Sequence, residues 1–435
     1  MNTTAPAKLA ERWADTASAA AAPESPDWLR ALHSEALAAF SDSGLPHRKV
    51  EAWKYTPLKR LEAAAPDLPH DMHGTGGVLP PEALVPGAAL TLDIVDGVAP
   101  AALPAAPEGV SLLTFNKALE RFEQRLRGLA GKIGLQGPAQ AFAAVNTAYL
   151  HHGLVLHVAA GVDAGTVLTR WMSGADSSER FSPFRLFVLL DEGARLELVE
   201  QHMSGDGTAG ARSLVLQSQL GQSSELLHVR VQAEPEEALL LTTTSVEQAA
   251  ESRYLYRGFD LGGGLVRHEL NVELAGPGAS ADLAGACVLD GSRHGDTRIS
   301  VDHVAPDCRS KQLFRSVLAG RSRGVFNGRA LICEGADGSS VKQSNANLLL
   351  SPLAEMDTKP ELEIYADEVE ASHGATVGQL DEAAIFYLRS RGLSEAEARR
   401  LLTAAFCHVV TALLENGPLA ETVGRMVDDA MPAAD

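Results

Sequence analysis

Apolar positions change their period along the chain, and each change predicts a new kind of element. Leu29, Leu32, Ala36, Leu37 and Phe40 recur at helical spacing. Ser25 and Pro26 supply an N-cap and a first helical residue, and Gly44-Leu45-Pro46 stops the run, so a helix is predicted within a helical segment covering 1–65. Residues 63–107 are rich in Pro, Gly and Ala and read as linker and irregular loop, with a flexible centre at 73–77 and one strand at 89–95. Helical spacing returns at 112–129 and at 142–148.

From Gly153 to about Thr376 the pattern is β and it repeats. Short apolar runs begin near Leu226, Leu239, Leu255, Leu270, Leu283, Ile299 and Leu313, in steps of 13, 16, 15, 13, 16 and 14 residues. Stacked coils produce a steady step of this size; two strands per coil give a repeat of about 29 residues, within the solenoid range. The competing architecture is an antiparallel sandwich or barrel, whose turns come every 8–12 residues or so. The spacing favours the parallel β-helix.

Leu362, Ile364 and Val369 still alternate with polar residues, and the small residues of Ser372-His373-Gly374-Ala375-Thr376 suit a tight exit from the sheet. After Asp381, an N-cap candidate, Ile385, Leu388 and Arg389 share a helical face, and Gly392 can supply a left-handed end. Ser394 and Glu397 make a capping box for a longer helix with Ala398, Leu401, Leu402, Ala405, Val409 and Leu413 on one face. Gly417-Pro418 ends it, and 419–431 forms a last helix. The predicted organisation is an N-terminal helical region with linker and first strands (1–150), a β-helix core (151–376) and a C-terminal helical domain (377–435).

With 435 residues, 45% of them hydrophobic, the chain can bury a large core. A net charge of −19 opposes binding to nucleic-acid phosphates or anionic lipid. No apolar run is long enough to span a bilayer, and residues 1–22 lack the apolar centre of a secretory signal, so a cytoplasmic protein is expected. Cys287, Cys308, Cys333 and Cys407 are scattered, which offers neither a disulfide framework nor a zinc knuckle.

No glycine-rich phosphate loop, dinucleotide-binding fingerprint, His-Glu-x-x-His helix or nucleophile elbow is present, so no catalytic residue is assigned and no enzyme activity is expected. His373 is the best candidate for function. Its imidazole is a borderline ligand suited to iron, and the flanking Ser and Gly leave it room; the bland reading is a ring bonded to a carbonyl at a sheet end. His303 and Cys308 could be read as a metal pair, but a coil corner turned by Pro306 is the commoner role. Asn345 and Asn347 more often satisfy backbone at β-helix turns. The cysteines read as packing residues, and Trp53 and Tyr55 as anchors holding the N-terminal helices to the body.

Several of these stretches resemble the SufB/SufD family of iron–sulfur cluster assembly proteins. They are Lys359-Pro360-Glu361-Leu362-Glu363-Ile364, Ser372 to Gly378, Phe386-Tyr387-Leu388 with Arg389-Ser390-Arg391-Gly392, the run from His303 to Cys308, the Asn345-Ala346-Asn347-Leu348 stretch, and Glu51-Ala52-Trp53-Lys54-Tyr55-Thr56. The resemblance implies a right-handed parallel β-helix with helical domains at both ends, acting as a non-enzymatic scaffold subunit of the SufBCD complex. It implies pairing with a SufB homologue through the last coils and docking of the SufC ATPase on the C-terminal helices, with Phe386, Tyr387, Arg391 and Gly392 in that contact. His373 would lend a ligand to iron or to a cluster held transiently at the SufB interface, with no cofactor bound tightly by the chain alone; a homodimer is allowed when the chain is isolated. Family members often carry Cys two residues before this His. Here Ala371 stands there, so a sulfur-receiving role is not expected, and with the N-terminal element this places the resemblance on the SufD side. A SufB-like scaffold is the near alternative; a polysaccharide-active β-helix enzyme and a purely structural, self-assembling β-helix are remoter ones.

Overall fold

The computed structural model describes residues 5–20, 25–70, 80–174, 177–205 and 209–432, and the flexible centre expected at 73–77 lies outside them. The chain opens with helices α1 (Ala5–Ala19), α2 (Asp27–Ser43) and α3 (Lys59–Ala64), then strands β1 (Leu90–Val95) and β2 (Val110–Thr114), then helices α4 (Phe115–Lys132) and α5 (Ala141–Ala148). Strands β3 (Leu154–Val158), β4 (Asp163–Met172), β5 (Phe181–Leu190), β6 (Arg195–His202), β7 (Ala211–Leu220) and β8 (Glu225–Gln232) start the coils. They continue through β9 (Leu239–Gln248), β10 (Arg253–Asp260), β11 (Leu265–Leu274), β12 (Ser280–Leu289), β13 (His294–His303) and β14 (Arg309–Leu318). Strands β15 (Arg323–Ile332), β16 (Ser340–Leu349), β17 (Glu355–Ile364) and β18 (Glu370–Gly378) complete them, before helices α6 (Glu382–Ser390), α7 (Glu395–Thr411) and α8 (Gly417–Ala430).

Consecutive strands fall on opposite walls. One sheet runs β1-β4-β6-β8-β10-β12-β14-β16-β18 and the other β17-β15-β13-β11-β9-β7-β5-β3-β2, with parallel pairing except between β2 and β3. This is a parallel β-helix of two strands per coil, the architecture that the steps of about 14 residues predict. The period of two along each strand sends alternate residues into the lumen. There Leu198, Leu214, Tyr256, Leu270, Leu283, Ile299, Phe314 and Phe326 stack into one core.

The outer faces carry the helices. Trp13, Phe40, Trp53 and Phe142 pack with Phe181, Val215 and Leu241 on one wall, and Phe115, Phe122 and Leu126 of α4 cover Val155, Phe187 and Leu189 beside them. On the opposite wall Cys407, Val410, Leu419, Val423 and Val427 of α7 and α8 cover Val229, Phe259, Ala284 and Val317. Trp53 stacks on the Arg267 guanidinium at 3.9 Å, and Arg267 donates to the Ala52 carbonyl while pairing with Asp296, which also accepts from the Thr56 hydroxyl. The anchoring role read for Trp53 is thus met by a clamp on an outward-facing ion pair.

Several local expectations change. Leu112 and Leu113, read as helix, belong to β2, where they oppose Leu156 and Val155; the helix starts at Phe115. Pro26, not Ser25, is the N-cap of α2, and it offers no side-chain cap bond. Ser372 to Thr376, expected as an exit from the sheet, lie inside β18. Small residues are tolerated there because nothing among the described residues covers that strand. The C-terminal caps hold, since Asp381 accepts from the Ala383 N–H, Gly392 has φ +100°, and Ser394 and Glu397 form the reciprocal box; but α7 stops at Thr411, Gly417-Pro418 open α8 instead of ending α7, and Leu401 and Val409 of the expected apolar face are exposed. Removing that box with Ser394→Ala should cost about 1 kcal/mol. Amide exchange in the first turn of α7 would report it as local fraying with the β-helix unaffected.

Candidate functional site: the open end of the β-helix

The two ends of the lumen differ. At the N-terminal end Ala99, Leu103 and Ala106 pack against the core next to β1 and β2. At the other end the last strands lie bare: all nine residues of β18 are exposed, and β17 is exposed or only partly buried. Each pairs on one side only, β17 with β15 and β18 with β16, so one edge of each strand has no strand partner among the described residues. Unpaired parallel edges are templates for another chain. Ile364, Tyr365 and Val377 add exposed apolar surface around them.

His373 sits on this end. Its register partner on the coil below is Gln343, which is buried; the two therefore share the lumen face, and His373 lies at the mouth of the tube. The ring is exposed, and among the described residues no hydrogen bond or ion pair engages it. Ala371 occupies the neighbouring position on the same face, so no thiol stands beside the imidazole. Among the described residues no group of three His, Cys, Asp or Glu side chains is placed to hold a metal ion.

Polar atoms line the tube just below. Asn347 donates to Asn345 Oδ1 at 2.7 Å and to the Thr376 carbonyl at 2.9 Å, and Thr358 donates to Asn345 Oδ1 at 2.8 Å across the lumen. Asn345 and Asn347 thus brace the last coil, close to the role expected of them. Their remaining atoms, Asn345 Nδ2 and Asn347 Oδ1, have no partner among the described residues, nor do both amide atoms of Gln312 and Oε1 of Gln343.

Deeper in the tube lies a buried charged cluster that no sequence motif marks. Glu200 Oε1 meets His228 Nε2 at 2.6 Å, Glu200 Oε2 lies 3.4 Å from His202 Nε2, and Arg230 donates to Asp260 at 2.8 Å. Burial raises the Glu200 pKa, but the neighbouring His202 and the hydrogen-bonded His228 outweigh it and hold the carboxyl below its ordinary range. Coil alignment carries the signal for this cluster: Glu200 and Arg230 are register partners through β6 and β8.

The other candidates take ordinary roles. His303 meets Ser310 Oγ at 2.8 Å inside the tube, and Cys308 turns its sulfur toward the Gly276 carbonyl at 3.4 Å, with Asp307 left-handed at φ 60°. They form a coil corner. Burial raises the pKa of all four thiols, Cys407 to about 12, which keeps them protonated. On α6, Phe386 is 73% and Tyr387 56% exposed, and the Arg391 guanidinium stands 5.2 Å over the Tyr387 ring. Gly392 follows at the left-handed turn into α7, and all four residues are exposed. No helix among the described residues is long and apolar enough to cross a membrane.

Residues 173–406, more than half of the chain, match the family model for the SufBD core domain of the SUF system of FeS cluster assembly. The chain is 29% identical to the iron–sulfur cluster assembly protein SufD of Escherichia coli, over 90% of both chains. It is 28% identical to an iron–sulfur cluster assembly SufBD family protein of Synechocystis, over 88% of this chain and 86% of that one. A SufBD family protein of Mycobacterium leprae is 40% identical over a shorter stretch, 34% of this chain and 39% of the relative.

Proposed function

The chain belongs to the SufBD family of iron–sulfur cluster assembly proteins, and from that premise we propose that it is a non-enzymatic scaffold subunit of SufD type. Its open β-helix end pairs with a SufB-type β-helix, and a nascent cluster is held between them. The observation that carries this reading is the uncapped last coil with a free imidazole at its mouth. Edge strands β17 and β18 supply backbone groups for main-chain pairing, and the exposed apolar residues around them gain burial on contact. His373, when neutral, offers one lone pair to iron; the thiolates and further ligands come from the partner, since Ala371 provides none.

The patch of Phe386, Tyr387, Arg391 and Gly392 serves a second partner, a SufC-type ATPase. Two exposed aromatics with an Arg stacked on one of them have the composition of an interface hot spot. Nucleotide-driven pairing of two such ATPases, one on each β-helix subunit, would then move the subunits and open the joint between them. The complex works in the cytoplasm, and the isolated chain can close its open end against a second copy of itself.

The test uses the complex co-produced with its SufB-type and SufC-type partners. His373→Ala should leave complex assembly intact and lower the yield of assembled cluster by about 10-fold or more, the usual cost of losing a ligand or its support. An unchanged yield would remove His373 from the chemistry. Phe386→Asp should release the ATPase while the two β-helices stay together; retention of the ATPase would refute that contact.

A further inference from the structure

Directly below His373 on the same ladder lies Gln343, and one rung further Gln312, so the three side chains stack in one luminal column. Successive rungs are about 4.8 Å apart, which brings a glutamine amide within reach of an imidazole in the next rung. Gln343 is 7% exposed and Gln312 1% exposed. The Gln343 nitrogen donates to the Gly328 carbonyl at 3.3 Å. Only an NH2 can face a carbonyl, so this bond fixes which end of the amide is which and leaves Oε1 as a buried acceptor with no partner among the described residues. Leaving a buried acceptor unpaired costs about 1–3 kcal/mol, a penalty that leucine would avoid.

We propose that Gln343 is a positioning residue for His373: the ring, which no hydrogen bond among the described residues engages in this structure, swings down onto the column and gives its N–H to the unpaired amide oxygen of Gln343. A neutral imidazole carries one N–H and one lone pair. If the N–H is held downward by Gln343, the lone pair of the other nitrogen faces out of the tube, toward the position where an incoming ferrous ion would bind. The ring becomes a ligand of fixed tautomer and orientation, as histidines that bind metals ordinarily require of a neighbouring acceptor. Gln312 continues the column one rung down, where its own free amide can hold Gln343 or a water in line. This inference rests on the reading of His373 as the ligand offered at the open end, and its test is separable from that reading.

The metal-free full-length chain is labelled with 15N-histidine, and the His373 ring signals are identified by their loss in His373→Ala. At a pH where the ring is neutral, the wild type should show one dominant tautomer. Gln343→Leu, of similar volume, should relax it to the mixture of a solvated imidazole, while Gln343→Glu, which keeps an acceptor oxygen, should preserve the single tautomer. Unchanged ring signals in Gln343→Leu would overturn the proposal, as would a mixture in Gln343→Glu; if Gln343→Leu does not fold, the outcome in Gln343→Glu decides alone. In the assembled complex, ferrous-ion affinity should fall about 10–100-fold in Gln343→Leu and recover in Gln343→Glu. If the tautomer responds to Gln343 while His373→Ala leaves cluster yield intact, the hydrogen bond stands and the ligand role of His373 falls.

Discussion

Glu200→Leu is expected to lower the stability of the β-helix by about 3–5 kcal/mol, the cost of deleting a buried carboxylate that a hydrogen-bonded His228 and a nearby Arg230 both face. Glu200 is the acceptor at the centre of a cluster in which His228, His202 and Arg230 are all buried. Without it, His228 loses its 2.6 Å partner and the Arg230 guanidinium faces Asp260 alone, with two of its nitrogens already unpartnered among the described residues. Glu200→Gln should cost less, since the amide oxygen can still accept from His228. A drop in melting temperature of about 3–5 °C for the Leu variant, and a clearly smaller one for Gln, would confirm the ranking. Equal melting temperatures for all three proteins would show that the cluster contributes no net stability.

Acid should weaken the fold well before ordinary carboxylates protonate. Burial pushes His303 down to about 4, and His294 likewise to about 4. His202 and His268 are also lowered, again chiefly by burial. In the unfolded chain these rings titrate near the ordinary value of about 6.5. Between that value and about 4 the unfolded chain takes up protons that the folded one refuses, so their stabilisation is complete above about 6.5 and lost as pH falls. For His303 alone the difference between 6.5 and about 4 corresponds to roughly 3 kcal/mol. Glu200 acts in the same direction at lower pH, because its lowered pKa stabilises the fold above the carboxylate range and ceases to as pH falls through it. The urea midpoint should therefore fall steeply from pH 7.5 to pH 4.5, and less steeply in His303→Gln. A midpoint that stays level over that interval would show that the rings accept protons in place.

The sequence revealed the coil through its arithmetic: runs at Leu226, Leu255, Leu283 and Leu313 all fall on strands of one wall, and those at Leu239, Leu270 and Ile299 on the other. It also pointed to His373, through the motif around it, and the structure places that ring on the open last strand. The inside of the tube stayed hidden. A period of two separates the faces of a strand but does not say which one is enclosed, so Glu200, Arg230, Gln312 and Gln343 look like ordinary outward polar positions. Only stacking by register shows that they share a lumen. The strand identity of Ser372 to Thr376 was obscured for a related reason: their small size signals a turn in a covered sheet, whereas here the strand is the last rung and lies open.

The unequal ends also set a limit on growth. Leu103 and its neighbours plug one tip of the rod, while the other tip stays sticky. Under the proposed pairing, two such rods would meet tip to tip once, and the product would present plugs at both extremities. A solenoid built from the same repeats without that plug would polymerise into fibres; on the proposed tip-to-tip pairing, this one would stop at a pair.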